Sequence, residues 1–422
     1  MGNFISSDAA VATVAFRQYG KVLHKQVTLG AGIWGMFQDA KDVKAMGSGF
    51  YFKTKHRYNE RGVGHRAVGG ALPTPDTPNF EEGYFEEKAL YAIRKADLRT
   101  VAKYQGNGSA LSNVLRHLVE DNGEVARAEL ARVCHGDGSG RLVQTAAAGS
   151  SATDVTFLKT GGYYKSGALY IREGAYTDFY YSTSQEVDSK ILTNITSGSV
   201  TDSATVSASS TWTNGAYVMK EDEYATALDT EGQGLHYLID DGTNHTTVDG
   251  LSTSSYEWWK SKVDSASSNR ALDPETLAKL LAWQRNKKKG NIRNHCMLSN
   301  AGQPLMYWKY MLPSFTTNVV SKPVKFDAGC KLGEAQPFMG VPWKVDDYCP
   351  IGEIVIPDWG ELHKYVLKPL GKPTAGLAPG GWTWDGTYDA VVEWASMYYN
   401  FFATRRNTHI RYKDLTEDFM FL

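Results

Sequence analysis

The sequence predicts an α+β protein whose chain passes through a long loop, one long helix and an inserted module of short β-strands. Residues 47–99 combine aromatic pairs with many glycines and prolines, which indicates a loop longer than compact domains usually contain. Residues 108–135 follow with the apolar period of an amphipathic helix. Residues 144–219 then change to Ser, Thr, Gly and Tyr with short β-type runs. Mixed patterns return after residue 220, which makes α+β the predicted class.

Composition argues against several classes of protein. A chain of 422 residues, of which 42% are hydrophobic, is long enough for two or three globular domains. Its 45 basic and 46 acidic residues leave a net charge of −1, which disfavours nucleic-acid binding through bulk charge. No apolar run reaches the ~18 residues that span a bilayer, and the N-terminus lacks a secretory leader pattern. We therefore expect a soluble protein without a membrane partner.

The four cysteines lie far apart and follow no metal-binding spacing. We therefore expect no zinc site and interpret the cysteines as buried free thiols in a reducing compartment. The sequence leaves open whether any of them pair. They are Cys134, Cys296, Cys330 and Cys349.

Residues 1–46 are predicted to form an N-terminal arm. A short helix is expected near residues 9–19, and Ile33, Trp34 and Phe37 would anchor the arm through their apolar side chains. The arm leads directly into the long loop.

Residues 47–99 are predicted to form an extended loop. The alternating patterns of residues 49–55 and 80–85 predict the two legs of a hairpin. The glycines and prolines between them indicate a segment with no core of its own, so we expect a neighbouring copy of the chain to cover its apolar side chains. With Trp34 of the arm, the candidate subunit contacts are Phe50, Tyr51, Arg61, Arg66, Tyr84 and Phe85.

The helix predicted at residues 108–135 has a clear end. At ~1.5 Å per residue it would be roughly 40 Å long. Gly136 and Gly138 supply the glycines that commonly end helices, and Gly123 is a weak point in the middle.

After this helix the sequence predicts an inserted small β-barrel or sandwich, with residues 148–222 as its bounds. Turn signals separate the β-type runs at residues 155–158, 168–171, 179–181 and 207–212.

The remaining chain alternates helices and strands. Asp273 and Pro274 predict the start of a helix that ends near Gly290. A second helix is expected at residues 303–312. The predicted strands are residues 294–298, 341–345, 352–356 and a long segment at 391–402.

Three local patterns admit both a chemical and a structural interpretation. Residues 135–140 could hold a phosphate, but they follow a helix and lack the lysine of a phosphate loop, which favours a helix stop. Residues 239–244 contain carboxylates of a calcium loop without its bidentate Glu, which favours a turn. Residues 221–223 could supply glycosidase carboxylates, but no opposing carboxylate can be assigned, which favours a solvated turn. We predict no catalytic, cofactor-binding, metal-binding or nucleic-acid-binding residue.

The order of these parts resembles that of a known family. An arm, an extended loop, a long helix ending at residues 136–140, a β insertion and a returning β segment that closes on residues 407–416 resemble the major capsid proteins of tailed bacteriophages, with the Hong Kong 97-type fold. Gly250-Leu251 followed by residues 256–259 resembles the passage into the family's axial domain. Residues 334–345 resemble its Phe-x-Gly-x-Pro strand.

The resemblance implies a structural protein with no enzymatic activity and no cofactor. Such a chain would assemble with itself into hexameric and pentameric capsomers of an icosahedral virion shell, built in the host bacterial cytoplasm. Scaffold, portal and decoration proteins would be its other partners, and packaged DNA would be enclosed without specific binding. The implied parts are an arm, an extended loop, a peripheral domain, an inserted β domain, an axial domain and a peripheral return, at residues 1–46, 47–99, 100–147, 148–222, 223–375 and 376–422.

Two alternatives stay open. A phage decoration or tail-tube protein would also be structural, but it should be shorter and mostly β, without a long helix. A carbohydrate-binding or carbohydrate-active surface protein would use the aromatic-rich β insertion.

Overall fold

The computed structural model describes two compact units. The first contains the described residues of Met1–Trp34, Glu87–Ala131 and Val366–Tyr399, and the second those of Gly35–Glu86, Arg132–Tyr365 and Asn400–Leu422. The described residues are 32–40, 43–46, 49–57, 61–65, 68, 70–74, 77–97, 123–198, 200–221, 230–289, 296–316, 335–371, 382–384 and 390–417.

Strands dominate the described chain. The first five are β1 (Gln38–Asp39), β2 (Lys44–Met46), β3 (Gly49–Arg57), β4 (Asn79–Phe85) and β5 (Lys88–Asp97). The next six are β6 (Arg141–Gln144), β7 (Gly149–Leu158), β8 (Tyr176–Tyr181), β9 (Ser184–Ser197), β10 (Thr201–Trp212) and β11 (Tyr217–Lys220). Then follow β12 (Thr247–Val248), β13 (Leu251–Ser252), β14 (Lys262–Asp264), β15 (Met297–Ser299), β16 (Ala335–Phe338), β17 (Val341–Val345) and β18 (Ile354–Ile356). The last four are β19 (Leu362–Gly371), β20 (Trp382–Trp384), β21 (Ala390–Ala403) and β22 (Ile410–Tyr412).

Four α-helices interrupt the strands of the described chain. They are α1, described over residues 123–133, α2 (Leu235–Leu238), α3 (Pro274–Lys288) and α4 (Gly302–Thr316). Helix α1 ends three residues before Gly136, which confirms the predicted stop, and Gly138 and Gly140 beyond it have positive φ angles. Residues 108–122 of the predicted helix lie outside the described residues, as does the short helix expected near residues 9–19.

In the first unit, β21 is the common partner of three strands, β19, β20 and β5. It pairs antiparallel with β20 on residues Val391–Glu393 and with β5 along residues Ala390–Tyr399. The long strand predicted at residues 391–402 is therefore present. Strand β5 falls within the loop predicted at residues 47–99, so the loop is shorter than expected. Half-buried and exposed residues alternate along β5, which is the period of a strand.

The extended loop begins as a three-stranded sheet in the second unit. Strand β3 pairs antiparallel with β2 and with β4, with Phe50 opposite Phe85 and Lys55 opposite Phe80. The two predicted hairpin legs are therefore confirmed. Residues 58–78 connect them, of which 61–65, 68, 70–74 and 77–78 are described.

The inserted module is a six-stranded sheet with the order β6-β11-β8-β9-β10-β7. A bridge between Thr145 and Phe157 joins residues at its two edge strands. The sheet starts with β6, seven residues before the predicted boundary at 148, because Val143 belongs to the same apolar core as Val218. Residues 168–171, predicted as a strand, form a buried turn. A barrel or sandwich remains a prediction.

The insertion also contacts the central part of the second unit. The Gly162 amide donates to the Ile351 carbonyl at 2.9 Å, and the Ile351 amide donates to Ser166 Oγ at 3.0 Å. Tyr170 OH donates to the Tyr348 carbonyl at 2.9 Å. These bonds show that the connection between β7 and β8 packs outside its own sheet.

The central sheet has the order β14-β22-β18-β15-β17-β16. Helix α3 covers it through Leu277 and Leu281, and Asp273 caps that helix by accepting from the Glu275 and Thr276 amides at 3.1 Å each. This start and the end at Lys288 confirm the predicted helix. Helix α4 and strands β15, β17 and β18 match the remaining predictions, apart from residues 294–295, which lie outside the described chain.

The C-terminal segment differs from the implied domain bounds. Residues 376–422 were assigned as a whole to the peripheral domain, whereas β22 lies inside the central sheet between β14 and β18. Ile410 and Tyr412 are fully buried there. Ile410 and Tyr412 share one face of the strand and belong to the apolar core of this sheet, which explains its position.

Cys134, Cys296 and Cys349 are buried free thiols, as predicted, while Cys330 lies outside the described residues. Burial raises the pKa of the Cys134 and Cys349 thiols well above their ordinary value. Among the described helices, none has the length and apolar character that a membrane span requires.

Candidate assembly surface and its buried supports

The base of the extended hairpin is anchored in the second unit by aromatic packing. Phe50 stacks on Phe85 with ring centroids 5.7 Å apart, and Phe85 stacks on Phe402 at 4.7 Å. Leu251 and Trp259 complete this cluster. The expectation that a neighbouring copy covers the apolar side chains of the loop is therefore wrong for its two legs, because their inward side chains meet residues of the same chain more than 150 positions away in the sequence.

Most of the candidate contact residues proposed from sequence belong to this anchored base. Phe50 and Phe85 are buried within their own chain, so they are not available to a neighbour. Tyr51 and Tyr84 pair on the opposite face of the hairpin, with ring centroids 5.0 Å apart.

The other three candidates have different positions. Arg61 is exposed at the start of the connecting segment, and Arg66 lies outside the described residues. Trp34, in the first unit, is half-buried and meets the Tyr399 ring at 5.5 Å.

The distal part of the hairpin exposes apolar side chains. Val63 is 81% exposed and Leu72 is 89% exposed, and Val68 between them is also exposed. Several apolar residues presented on one extended segment are typical of a surface that another protein covers. We call residues 61–78 the hairpin tip.

Helix α4 presents a second exposed apolar surface in the same unit. Leu305 and Trp308 are three residues apart, which places them on one helix face, and each is about half exposed. The described chain therefore carries two different exposed apolar surfaces.

A tight turn between β12 and β13 is hydrogen-bonded to the hairpin base. Asp249 and Gly250 join β12 to β13 with φ angles of 51° and 74°, as in the two-residue turns that favour Asp-Gly. The Asp249 carbonyl accepts from the Tyr84 amide at 2.8 Å. A Cβ at position 250 would lie 3.2 Å from that of Tyr84, so glycine serves both the backbone angle and the close approach.

The Asp249 side chain is buried within this turn. Its Oδ2 accepts from the Ala403 amide at 3.3 Å, and burial raises the pKa of its carboxyl to about 7. The folded state thus retains a proton that the unfolded chain releases at lower pH. This group therefore lowers stability as the pH rises from about 4 to about 7.

Replacing Asp249 with Asn should remove this dependence on pH. We expect Asp249→Asn to raise the melting temperature at pH 8 and to change it little at pH 4, since Asn is neutral and tolerates positive φ. Thermal unfolding of both proteins between pH 4 and pH 8 measures the difference. Asp241→Asn, on the neighbouring turn, is the control, and an equal gain at both pH values from Asp249→Asn would contradict the assignment.

Arg406 forms buried hydrogen bonds to the segment from α2 to Trp259, which packs against the hairpin base. Its guanidinium is fully buried and donates to the carbonyls of Leu238, Trp259 and Asp240 at 2.8, 3.1 and 2.8 Å. Burial lowers its pKa to about 10, so the group stays charged at neutral pH. In the sequence, nothing distinguishes the buried Arg406 from the adjacent, half-buried Arg405.

Of the sequence patterns considered for chemistry, residues 239–244 form a turn in the structure, and only Glu221 of residues 221–223 is described. Asp240 accepts from the backbone amides of Gly242, Asn244 and His245 at 2.9, 3.1 and 3.0 Å, so its carboxylate organises its own loop. Glu221 accepts from Ser189 Oγ at 2.6 Å, while Asp222 and Glu223 lie outside the described residues.

The structure also gathers three residues that the sequence did not connect. Asp137, His236 and His245 each offer one ligand atom, and these atoms lie within 4.8 Å of one another. Burial lowers the pKa of His236 well below its ordinary value and also lowers that of His245. About 100 residues separate Asp137 from the histidines, and no spacing motif links them, so sequence patterns had no means to predict the cluster.

Comparison with known proteins shows the fold. The sequence matches no protein-family model and no curated protein. A chain of the capsid asymmetric unit of cyanophage A-1(L) matches with a TM-score of 0.56 and 12% identity, covering 95% of this chain and 97% of that chain. A capsid chain of the native GTA particle matches with a TM-score of 0.48 and 11% identity over 94% of each chain.

A third match is a capsid chain of cyanophage P-SCSP1u, with a TM-score of 0.45 and 9% identity over 94% of this chain and 91% of that one. At these identities the comparison concerns fold alone, and only the cyanophage A-1(L) match enters the argument. The chain has a phage capsid fold of the α+β class over nearly its whole length. The family resemblance predicted from the sequence is confirmed at that level.

Proposed function

We propose that this chain is a major capsid protein that assembles with itself into the closed shell of a virion. The observation that carries the proposal is the fold, which matches a cyanophage capsid chain over 95% of this chain at a TM-score of 0.56. Hexameric and pentameric capsomers, enclosure of phage DNA and assembly in a bacterial cytoplasm belong to this proposal.

Two features of the second unit support assembly. The hairpin base is rigidly packed, whereas its tip presents Val63 and Leu72 to the exterior. A shell built from copies of one chain needs heterologous contacts, in which one surface of a subunit meets a different surface of the next. The hairpin tip and the Leu305–Trp308 face of α4 are two such surfaces.

In this proposal the subunit contacts lie at the hairpin tip and not at the base of the hairpin. Arg61 remains a candidate, and Val63, Val68 and Leu72 replace the buried Phe50 and Phe85. Scaffold, portal and decoration proteins remain proposed partners. The charge balance of −1 is compatible with DNA that is enclosed without tight binding to the shell.

Limited proteolysis tests the role of the tip. Trypsin should cleave the unassembled chain rapidly after Arg61, because this segment is exposed. In assembled particles the same bond should be cleaved at least about tenfold more slowly, since a neighbour would restrain local opening. Mass spectrometry of fragments gives both rates. Particles that are dissociated and digested again provide the control, and equal rates before and after assembly would contradict the proposal.

A further inference from the structure

The cluster of Asp137, His236 and His245 has the composition of a metal site. Asp137 follows the end of α1, His236 lies in α2, and His245 lies in the loop before β12. All three belong to the second unit. Two imidazoles and one carboxylate are a donor set that suits Zn²⁺ and related transition-metal ions better than Ca²⁺ or Mg²⁺.

The carboxylate is held in place by its neighbour in sequence. Asp137 Oδ1 accepts from the Ser139 amide at 3.1 Å and from Ser139 Oγ at 2.6 Å. This leaves Oδ2 for another partner, and His245 Nε2 lies 4.0 Å from it. That separation is too long for a hydrogen bond.

The imidazole nitrogens are the second and independent observation. His236 Nδ1 and His245 Nε2 are both buried, and neither has a hydrogen-bond partner within the described part of the chain. Buried polar atoms without partners are rare in folded proteins and require an explanation. A bound cation would give both nitrogens and Asp137 Oδ2 a partner.

The spacing and charge around the cluster fit a small cation. Bonds of about 2.0–2.1 Å to Zn²⁺ place donor atoms roughly 3.4 Å apart, so the side chains must close by about 1 Å. Arg411 is the charged residue with the largest effect on the pKa of His236, and its guanidinium donates to the Asp240 carboxylate at 3.4 Å and to the His236 carbonyl at 3.3 Å. Because Asp240 balances Arg411, the charge of Asp137 remains for the metal.

We propose that Asp137, His236 and His245 bind one Zn²⁺ ion, with water as the fourth ligand. The ion would join the end of α1 to the segment from α2 to β12. The ion would stabilise the fold within one subunit. This proposal does not depend on the capsid proposal.

Metal titration of the untagged full-length chain tests this site. Metal-free protein should bind one Co²⁺ per chain with the visible absorption of a tetrahedral complex, and Zn²⁺ should displace it. Zn²⁺ should raise the melting temperature, and a chelator should reverse the rise. A wild-type chain that takes up no metal would overturn the proposal.

Substitutions assign the ligands. Asp137→Asn keeps the size of the side chain and His245→Gln keeps a polar group, and each should weaken Co²⁺ and Zn²⁺ binding at least about tenfold. His363→Gln replaces a half-buried histidine outside the cluster and should bind as the wild type does. Wild-type affinity in both ligand variants would overturn the site. Should His245→Gln fail to fold, Asp137→Asn and the wild-type Co²⁺ spectrum still decide the question.

Discussion

Two aspartates at the hairpin tip should abolish shell formation and leave the subunit folded. In Val63→Asp with Leu72→Asp, both altered side chains are more than 80% exposed, so the fold of the isolated chain should not depend on them. If a neighbouring subunit buries them, each substitution removes about 1.5–3 kcal/mol of apolar burial and adds a charge to be desolvated. This loss recurs at every copy of the interface, so the yield of particles should fall at least about tenfold.

Circular dichroism, sedimentation velocity and electron microscopy of the double variant measure folding and assembly separately. The matched control is Val200→Asp, since Val200 is 63% exposed but lies between β9 and β10 of the insertion. It should fold and assemble as the wild type does. Normal particles from the tip variant would show that the hairpin tip does not form a subunit contact.

Arg406→Met should cause the largest loss of stability among substitutions in the described chain that we consider. The change removes three hydrogen bonds from a buried charged donor to the carbonyls of Leu238, Trp259 and Asp240. The Leu238 and Asp240 carbonyls keep a second donor, the Ser261 hydroxyl at 3.4 Å and the Ser261 amide at 3.2 Å, whereas the Trp259 carbonyl loses the Arg406 guanidinium as its donor. A hydrogen bond to a charged group contributes about 1.5–3 kcal/mol, and removal of a buried charge offsets part of the total, so we expect a net loss of about 3–5 kcal/mol.

Urea unfolding monitored by tryptophan fluorescence measures this loss. The control is Arg405→Met, because Arg405 is only half-buried and donates to the Lys287 carbonyl at 2.7 Å near the surface. We expect that variant to lose no more than about 1 kcal/mol. Equal losses from the two variants would show that burial of Arg406 is not important for stability.

The sequence predicted those helices and strands that are determined by interactions between residues close together in the chain. Helix α3 begins with Asp273 and Pro274 because a side-chain cap and a fixed φ act within three residues. The hairpin legs alternate with period two, so β3 and β4 were predictable in type and position. The turn residues Asp249 and Gly250 carry a comparably local signal.

Contacts between distant parts of the chain were not predictable in this way. Phe50 and Phe85 have the sequence pattern of exposed hairpin residues, and packing against Leu251, Trp259 and Phe402 makes them interior. The same holds for Arg406, and for Asp137 with its two histidines, because each depends on segments that meet only after folding. Strand β22 was misplaced for the same reason, since its partners β14 and β18 precede it by more than 50 residues.

Cryo-electron microscopy of the purified, self-associated protein tests the central claim most directly. We predict closed shells or rings of capsomers in which the hairpin tip of one subunit lies against a different surface of its neighbour. A chain that stays monomeric at every concentration, and also when it is expressed with its proposed scaffold and portal partners, would contradict the account.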